Sequence, residues 1–307
     1  MLLEIDIDHD DPGYVEARGG FALLSYLRSG AERSAHRREA IDRALTLFEQ
    51  AERDGKPDPE VGGLGLLVLQ RALLAAEDLG ALVHGLLGPD PWLRLRNARI
   101  REIDEAYGRA LRDFDDALVK VFVLASEQQI DEGAATVDQR VALKELRVRE
   151  ARRWHRMLER VAGFWFGNRN AAKATMHGYP VVAGAHLHGP PPAGVLAAGV
   201  PPLAYRFAMA ITSTVKEAPP PMGQVMLDAA GDPIAHKEVR SDRTLIRLDA
   251  GQARDFARSG RLAANLADEL CEMQVRTVMS RHGVSVPLRG IERLDERGRR
   301  ALADLAP

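Results

Sequence analysis

The densest chemistry in the chain is carried by Arg169, Asn170, Lys173 and His177. On a helix, Arg169, Lys173 and His177 recur every four residues and share a face, with Asn170 beside them. Two cations, an amide and an imidazole in that arrangement suit a phosphate. The first three hold its oxygens, and the imidazole acts as acid or base near neutral pH. The competing structural reading is a helix end, where cations and a histidine complement the negative pole of the helix dipole. Gly178 and Pro180 fit such an end, since neither continues a helix.

A second pattern pairs an arginine with a histidine six positions on, at Arg149 and His155 and again at Arg276 and His282. Residues 60–178, by their helix pattern and their Arg/Asn/His-bearing segment, resemble HEPN-type helical bundles. The resemblance implies RNA binding or RNA cleavage, with an Arg-x(4–6)-His motif working at a dimer interface. It would make Arg149 and His155 catalytic, and His177 joins them as the acid or base of the first cluster. Arg169, Asn170 and Lys173 would contact phosphate. Arg169 and His177 stand too far apart for the motif itself. An exposed ion-pair face accounts for Arg149 and His155 with no catalysis at all.

Other groups admit plainer readings. His186 and His188 would project to one side of an extended segment, as two ligands of a metal enzyme would; no third ligand is evident nearby in sequence, though His177 could fold toward them. Glu4, Asp6, Asp8 and Asp10 alternate along a strand, as oxygen ligands for a divalent cation or as a solvated acidic edge that discourages aggregation. Glu77 and Asp78 interrupt an apolar helix and need cationic partners, for which Arg101 or Arg109 is the expectation. Cys271, the single cysteine, has no histidine at a partnering distance in sequence and reads as a packed thiol. One cysteine also excludes an intramolecular disulfide and a cysteine-based zinc site. HExxH, GxSxG, Walker-type and complete GxGxxG motifs are absent. The expectation is no metal and no cofactor.

The elements that must position these residues follow from apolar spacing. Leu3, Ile5 and Ile7 alternate as a strand does. Helices are predicted over 14–28, 32–53 and 61–87, the last the most apolar. Ile100, Ile103, Tyr107, Leu111, Phe114, Leu118, Val121 and Ala125 predict one long helix. Thr136 to Gln139 matches a capping box opening the next helix, which carries Val141, Leu146, Trp154, Leu158, Val161 and Trp165. Short strands follow residue 203. A last helix runs from Asp249 to Arg281, with a break at Ser259-Gly260.

The fold class is therefore mainly α: an N-terminal helical bundle (1–178), a Gly/Pro-rich connection (179–202) and a small α+β C-terminal unit (203–307). In 307 residues, 46% are hydrophobic and 28% charged, enough for a sizeable core. The net charge of −2 does not mark the whole molecule as a nucleic-acid or membrane binder, though it leaves room for a local basic patch. The charges within Val61–Gly88 argue against a membrane span, and the absence of a secretory signal points to the cytoplasm. The function expected first is a helical protein that binds a protein partner or forms a homodimer or larger homo-oligomer. RNA binding or cleavage is the alternative, and a metal enzyme using the loop histidines is the third.

Overall fold

Apolar residues spaced by three and four build most of what is seen. The computed structural model describes residues 22–134, 136–176, 181–183, 207–218 and 236–281. The described chain is mainly helical. Residues 22–28 form α1, followed by α2 (Gly30–Arg53), α3 (Asp58–Leu86), α4 (Pro91–Arg96), α5 (Ile100–Arg112), α6 (Phe114–Lys120), α7 (Glu127–Gly133) and α8 (Val137–Met176). Three strands come next, β1 (Val181–Ala183), β2 (Phe207–Ala218) and β3 (His236–Arg247), then α9 (Ala250–Arg281). No helix among the described residues is long and apolar enough to cross a membrane. The expected N-terminal strand, His177, His186, His188 and His282 lie outside the described residues.

The chain divides into two compact units. The first takes in Met1–Asp42, Arg71–Gly167 and Phe256–Pro307. Its interior is aromatic. Tyr107 and Trp165 are fully buried, with ring centres 6.4 Å apart. Each keeps its polar end satisfied: the Tyr107 hydroxyl donates to the Ala76 carbonyl at 2.5 Å, and Trp165 Nε1 donates to Asp104 Oδ1 at 2.7 Å. Phe122 and Trp154 stack nearby, ring centres 4.7 Å apart.

The second unit takes in Arg43–Gln70 and Asn168–Asp255. Phe48, Val61, Leu69 and Leu248 are buried within it. Glu49 pairs with Arg254 at 2.8 Å, and Asp249 caps α9 by accepting from the Gln252 amide at 2.9 Å. The sheet belongs to this unit and runs in the order β1-β2-β3, each pair antiparallel.

Two expectations about helices need correction. The stripe from Ile100 to Ala125 is not one helix. It breaks at Asp113, whose φ of −103° and ψ of 51° leave the helical region. Asp113, Asp115 and Asp116 place acidic residues where α6 begins, which favours a new N-terminus. The break also brings Phe114 against Phe122, ring centres 6.1 Å apart. The second correction concerns Gly260, which does not interrupt α9. A Cβ there would stand 2.6 Å from Ala72 Cα and 2.9 Å from Ile41 Cδ1. The glycine permits a close helix crossing, and its helical cost is offset by that contact.

Two short helices lie outside the sequence reading, though each has a visible signal. Asp90-Pro91 places a cap and a first-turn proline at the start of α4, where Asp90 accepts from the Leu93 amide at 3.1 Å. Ser126 and Gln129 form a complete capping box at the start of α7.

Candidate functional site

Helix α8 carries most of the residues that the sequence singles out. It opens on Thr136, whose hydroxyl accepts from the Gln139 amide at 3.2 Å. Trp154, Leu158, Val161 and Trp165 recur at helical spacing and are all at most 2% exposed. They fix one face inward, so the position of every other residue around the axis follows at about 100° per step.

Arg149 and His155 are not brought together by that geometry. Six residues apart on an unbroken helix, they stand ~9 Å apart along the axis and ~120° apart around it. Arg149 is exposed. The His155 side chain is 41% exposed, lies 3.9 Å from Glu159 Oε2 and meets the Phe114 ring edge-on, centres 4.7 Å apart. Arg169 is exposed and Asn170 half-buried near the end of α8. Lys173 follows Arg169 by one helical step of four on the backbone. Their proposed acid or base, His177, lies outside the described residues. Val141, assigned by sequence to the apolar pattern of the buried face, is 46% exposed, because it stands ~140° around the axis from Trp154.

The interior polar cluster lies elsewhere in the first unit. Asp78 does pair with an arginine, but with Arg37 of α2 and not with Arg101 or Arg109. Arg37 Nε and Nη2 donate to the two Asp78 oxygens at 2.6 and 3.2 Å, a forked pair. Arg101 is taken up by Glu105 one turn along its own helix, and Arg109 by Asp116. Glu77 is half-buried, and burial, then its neighbour Asp78, raise its carboxyl above the usual carboxylate range.

Beside the Arg37–Asp78 pair, Arg33 lies over the Tyr26 ring, its Cζ 3.4 Å from the ring centre. Arg33 Nη1 donates to the Tyr26 carbonyl at 2.5 Å and to Ser29 Oγ, while Nη2 faces Cys271 Sγ at 3.9 Å. Cys271 is 2% exposed. Gly30 passes so near that a Cβ there would stand 2.7 Å from its sulfur. Burial pushes the Cys271 thiol up to about 11 despite the nearby Arg33 charge, so it stays protonated at neutral pH. That chemistry matches a packed thiol and not a nucleophile. Burial likewise raises the Tyr26 hydroxyl.

Tyr26, Arg33, Ser34, Arg37, Asp78 and Cys271 border a cavity of about 10 Å³, together with apolar neighbours. That is room for about one water molecule and for no substrate. The cluster can orient a single water and lock α2 to α3. The spacing of Arg33 and Arg37, four apart, was available in sequence, but nothing local named their partners. Among the described residues, no group of three or more His, Cys, Asp or Glu is placed to hold a metal ion.

Compared with known proteins, the chain matches no family model, and neither a curated protein nor a solved structure matches it.

Proposed function

We propose that this is a non-catalytic helical protein that assembles with a second copy of itself through the N-terminal half of α8. The observation that supports the reading is a run of outward-facing valines. Val137, Val141 and Val148 are 71%, 46% and 44% exposed. On a helix they fall within ~40° of one another, with Lys144 between them. Lys144 is drawn aside by Asp131, at 2.8 Å. The steps of four, three and four from 137 through 141 and 144 to 148 follow the seam of a two-stranded coiled coil. A two-fold dimer places the same stripe on both partners, so each valine counts twice. Single exposed apolar residues are ordinary on protein surfaces, whereas three on one stripe offer a continuous surface to cover.

The finer architecture, a helical bundle followed by a small α+β unit, belongs to the same reading. It is supported by the β2–β3 pairing, which α9 follows within three residues.

Sedimentation velocity on the full chain tests the assembly. The expected result is a dimer at micromolar concentration that becomes a monomer in Val141→Glu/Val148→Glu, with the helical dichroism spectrum unchanged. A wild-type chain that stays monomeric at tens of micromolar overturns the proposal, and so does a dimer that survives the paired glutamates.

A further inference from the structure

Past the valines, α8 turns a different surface outward. Arg149, Arg152, Arg156 and Arg160 are all exposed. Their spacing of three, four and four places them within an arc of ~80° over a length of ~16 Å. The buried face of Trp154, Leu158, Val161 and Trp165 sets the orientation of this arc, so its outward aim follows from the core. Arg149 also makes contacts within the protein, and other arginines of the helix are committed to carboxylates. Arg153 pairs with Glu269 at 2.6 Å and Glu150 at 3.2 Å, and Arg147 lies 3.5 Å from Asp115. By contrast, among the described residues no carboxylate lies within ion-pair distance of Arg152, Arg156 or Arg160. Glu159 stands at the edge of the arc beside His155. Glu145 precedes the arc by one turn.

Gly163 and Gly167 continue the same arc toward the C-terminal end. Both are exposed, with open space where a Cβ would be. The surface therefore presents four guanidinium groups and then a stretch of bare backbone that something broad can approach closely.

We propose that this arginine face binds the phosphodiester backbone of a nucleic acid, without reading its sequence. Each guanidinium offers a planar fork that matches two phosphate oxygens, which a point-charged ammonium does not. A duplex strand sets about five phosphates along the length that the four arginines cover. A run of regularly spaced charges on the ligand suits regularly spaced forks on the protein, and a lipid surface or an acidic peptide has no such repeat. The exposed arc carries arginine, glutamate and glycine from Glu145 to Gly167, and contacts from its guanidinium groups to phosphate carry no sequence information. The molecule's net charge of −2 provides no general attraction for a polyanion, so a local patch must supply it. The inference is separate from self-assembly, which uses other residues of the helix.

The test is fluorescence anisotropy of the full chain with two end-labelled probes of mixed sequence, a 24-nucleotide single-stranded RNA and a 24-base-pair DNA duplex. Wild-type protein is expected to bind with an affinity that falls steeply with salt. For the three phosphate contacts of Arg152, Arg156 and Arg160 the log–log slope should be about −2 on single strands and somewhat steeper on duplex. Arg152→Gln/Arg156→Gln should weaken binding at least tenfold at low salt and flatten the slope by about 1.4. Arg101→Gln, which removes an exposed charge from α5, should leave both unchanged. Helical dichroism of each variant shows that it is folded. No binding at 50 mM salt overturns the proposal. So does binding that the double variant leaves intact, or that Arg101→Gln weakens equally. Preferential capture by phosphatidylserine vesicles in competition with the RNA also overturns it, in favour of a membrane surface.

Discussion

Within α8, Arg153 and Arg156 are one helical step apart and have opposite surroundings. Arg153 is stacked near Trp154, its Cζ 5.1 Å from the ring centre, and anchored to Glu269. Arg156 is exposed, and among the described residues no carboxylate pairs with it. The same division runs along the helix: Trp154, Leu158, Val161 and Trp165 inward, Arg149, Arg152, Arg156 and Arg160 outward. The inner row holds the stability, because apolar area removed from water and filled aromatic volume dominate folding energetics. The outer row is exposed, and among the described residues Arg152, Arg156 and Arg160 have no carboxylate partner. Helical period alone separates two roles in a segment where arginine and apolar residues alternate closely.

Truncating one residue from each row separates the two roles. Trp165→Ala removes a fully buried ring and leaves Asp104 without its indole donor, and it should cost about 3–5 kcal/mol in urea unfolding. Arg156→Ala should change the same measurement by no more than about 0.5 kcal/mol. Comparable losses from the two would show that the outer row is structural.

A smaller effect is expected at the turn that delivers Phe122 to Trp154. Val123 has φ of 51°, a left-handed conformation that a β-branched residue resists. Val123→Gly should raise stability by about 0.5–1 kcal/mol, the relief of strain outweighing the entropy glycine loses. A loss of that size instead would mean that the valine side chain matters more than its backbone.

The smallest effect concerns Glu77. Its folded carboxyl is raised, so folding favours the protonated form. That contribution is complete below the ordinary carboxylate range and is lost as pH rises through the raised folded value. At pH 7 the ionised side chain therefore weighs against the fold. Glu77→Gln should gain less than about 0.5 kcal/mol at pH 7, since the group is still partly exposed to solvent, and nothing near pH 4. A gain that persists unchanged at pH 4 would remove titration as its cause.

Much of the helical framework is readable from apolar spacing, because burial of a face requires it. Ile41, Phe48, Ile103, Tyr107 and Trp165 lie inside as their periods demand. The break at Asp113 is not readable that way: an apolar stripe keeps its rhythm whether a helix continues or restarts, and the clue lies in the acidic residues. Gly260 misleads for a related reason, since a glycine that weakens an isolated helix can serve one that is crossed closely. The partner of Asp78 depends on which helices meet, and sequence proximity favoured α5 over α2. Arg149 and His155 share a suggestive spacing, yet a continuous helix turns that spacing into divergence. The arginine face was legible in spacing, but only the placement of the tryptophans says that it faces outward.

The close crossing at Gly260 carries one more consequence. Where α9 meets Ala72, the Cα and Cβ of Ala72 and the tip of Ile41 occupy the space that a side chain at position 260 would need. Sliding α9 by a single position would drive Ser259 or Arg261 into that notch. The helix thus has one axial seat against its neighbour. The methyl group that glycine lacks seats α9 against its neighbour, much as a keyway fixes a shaft.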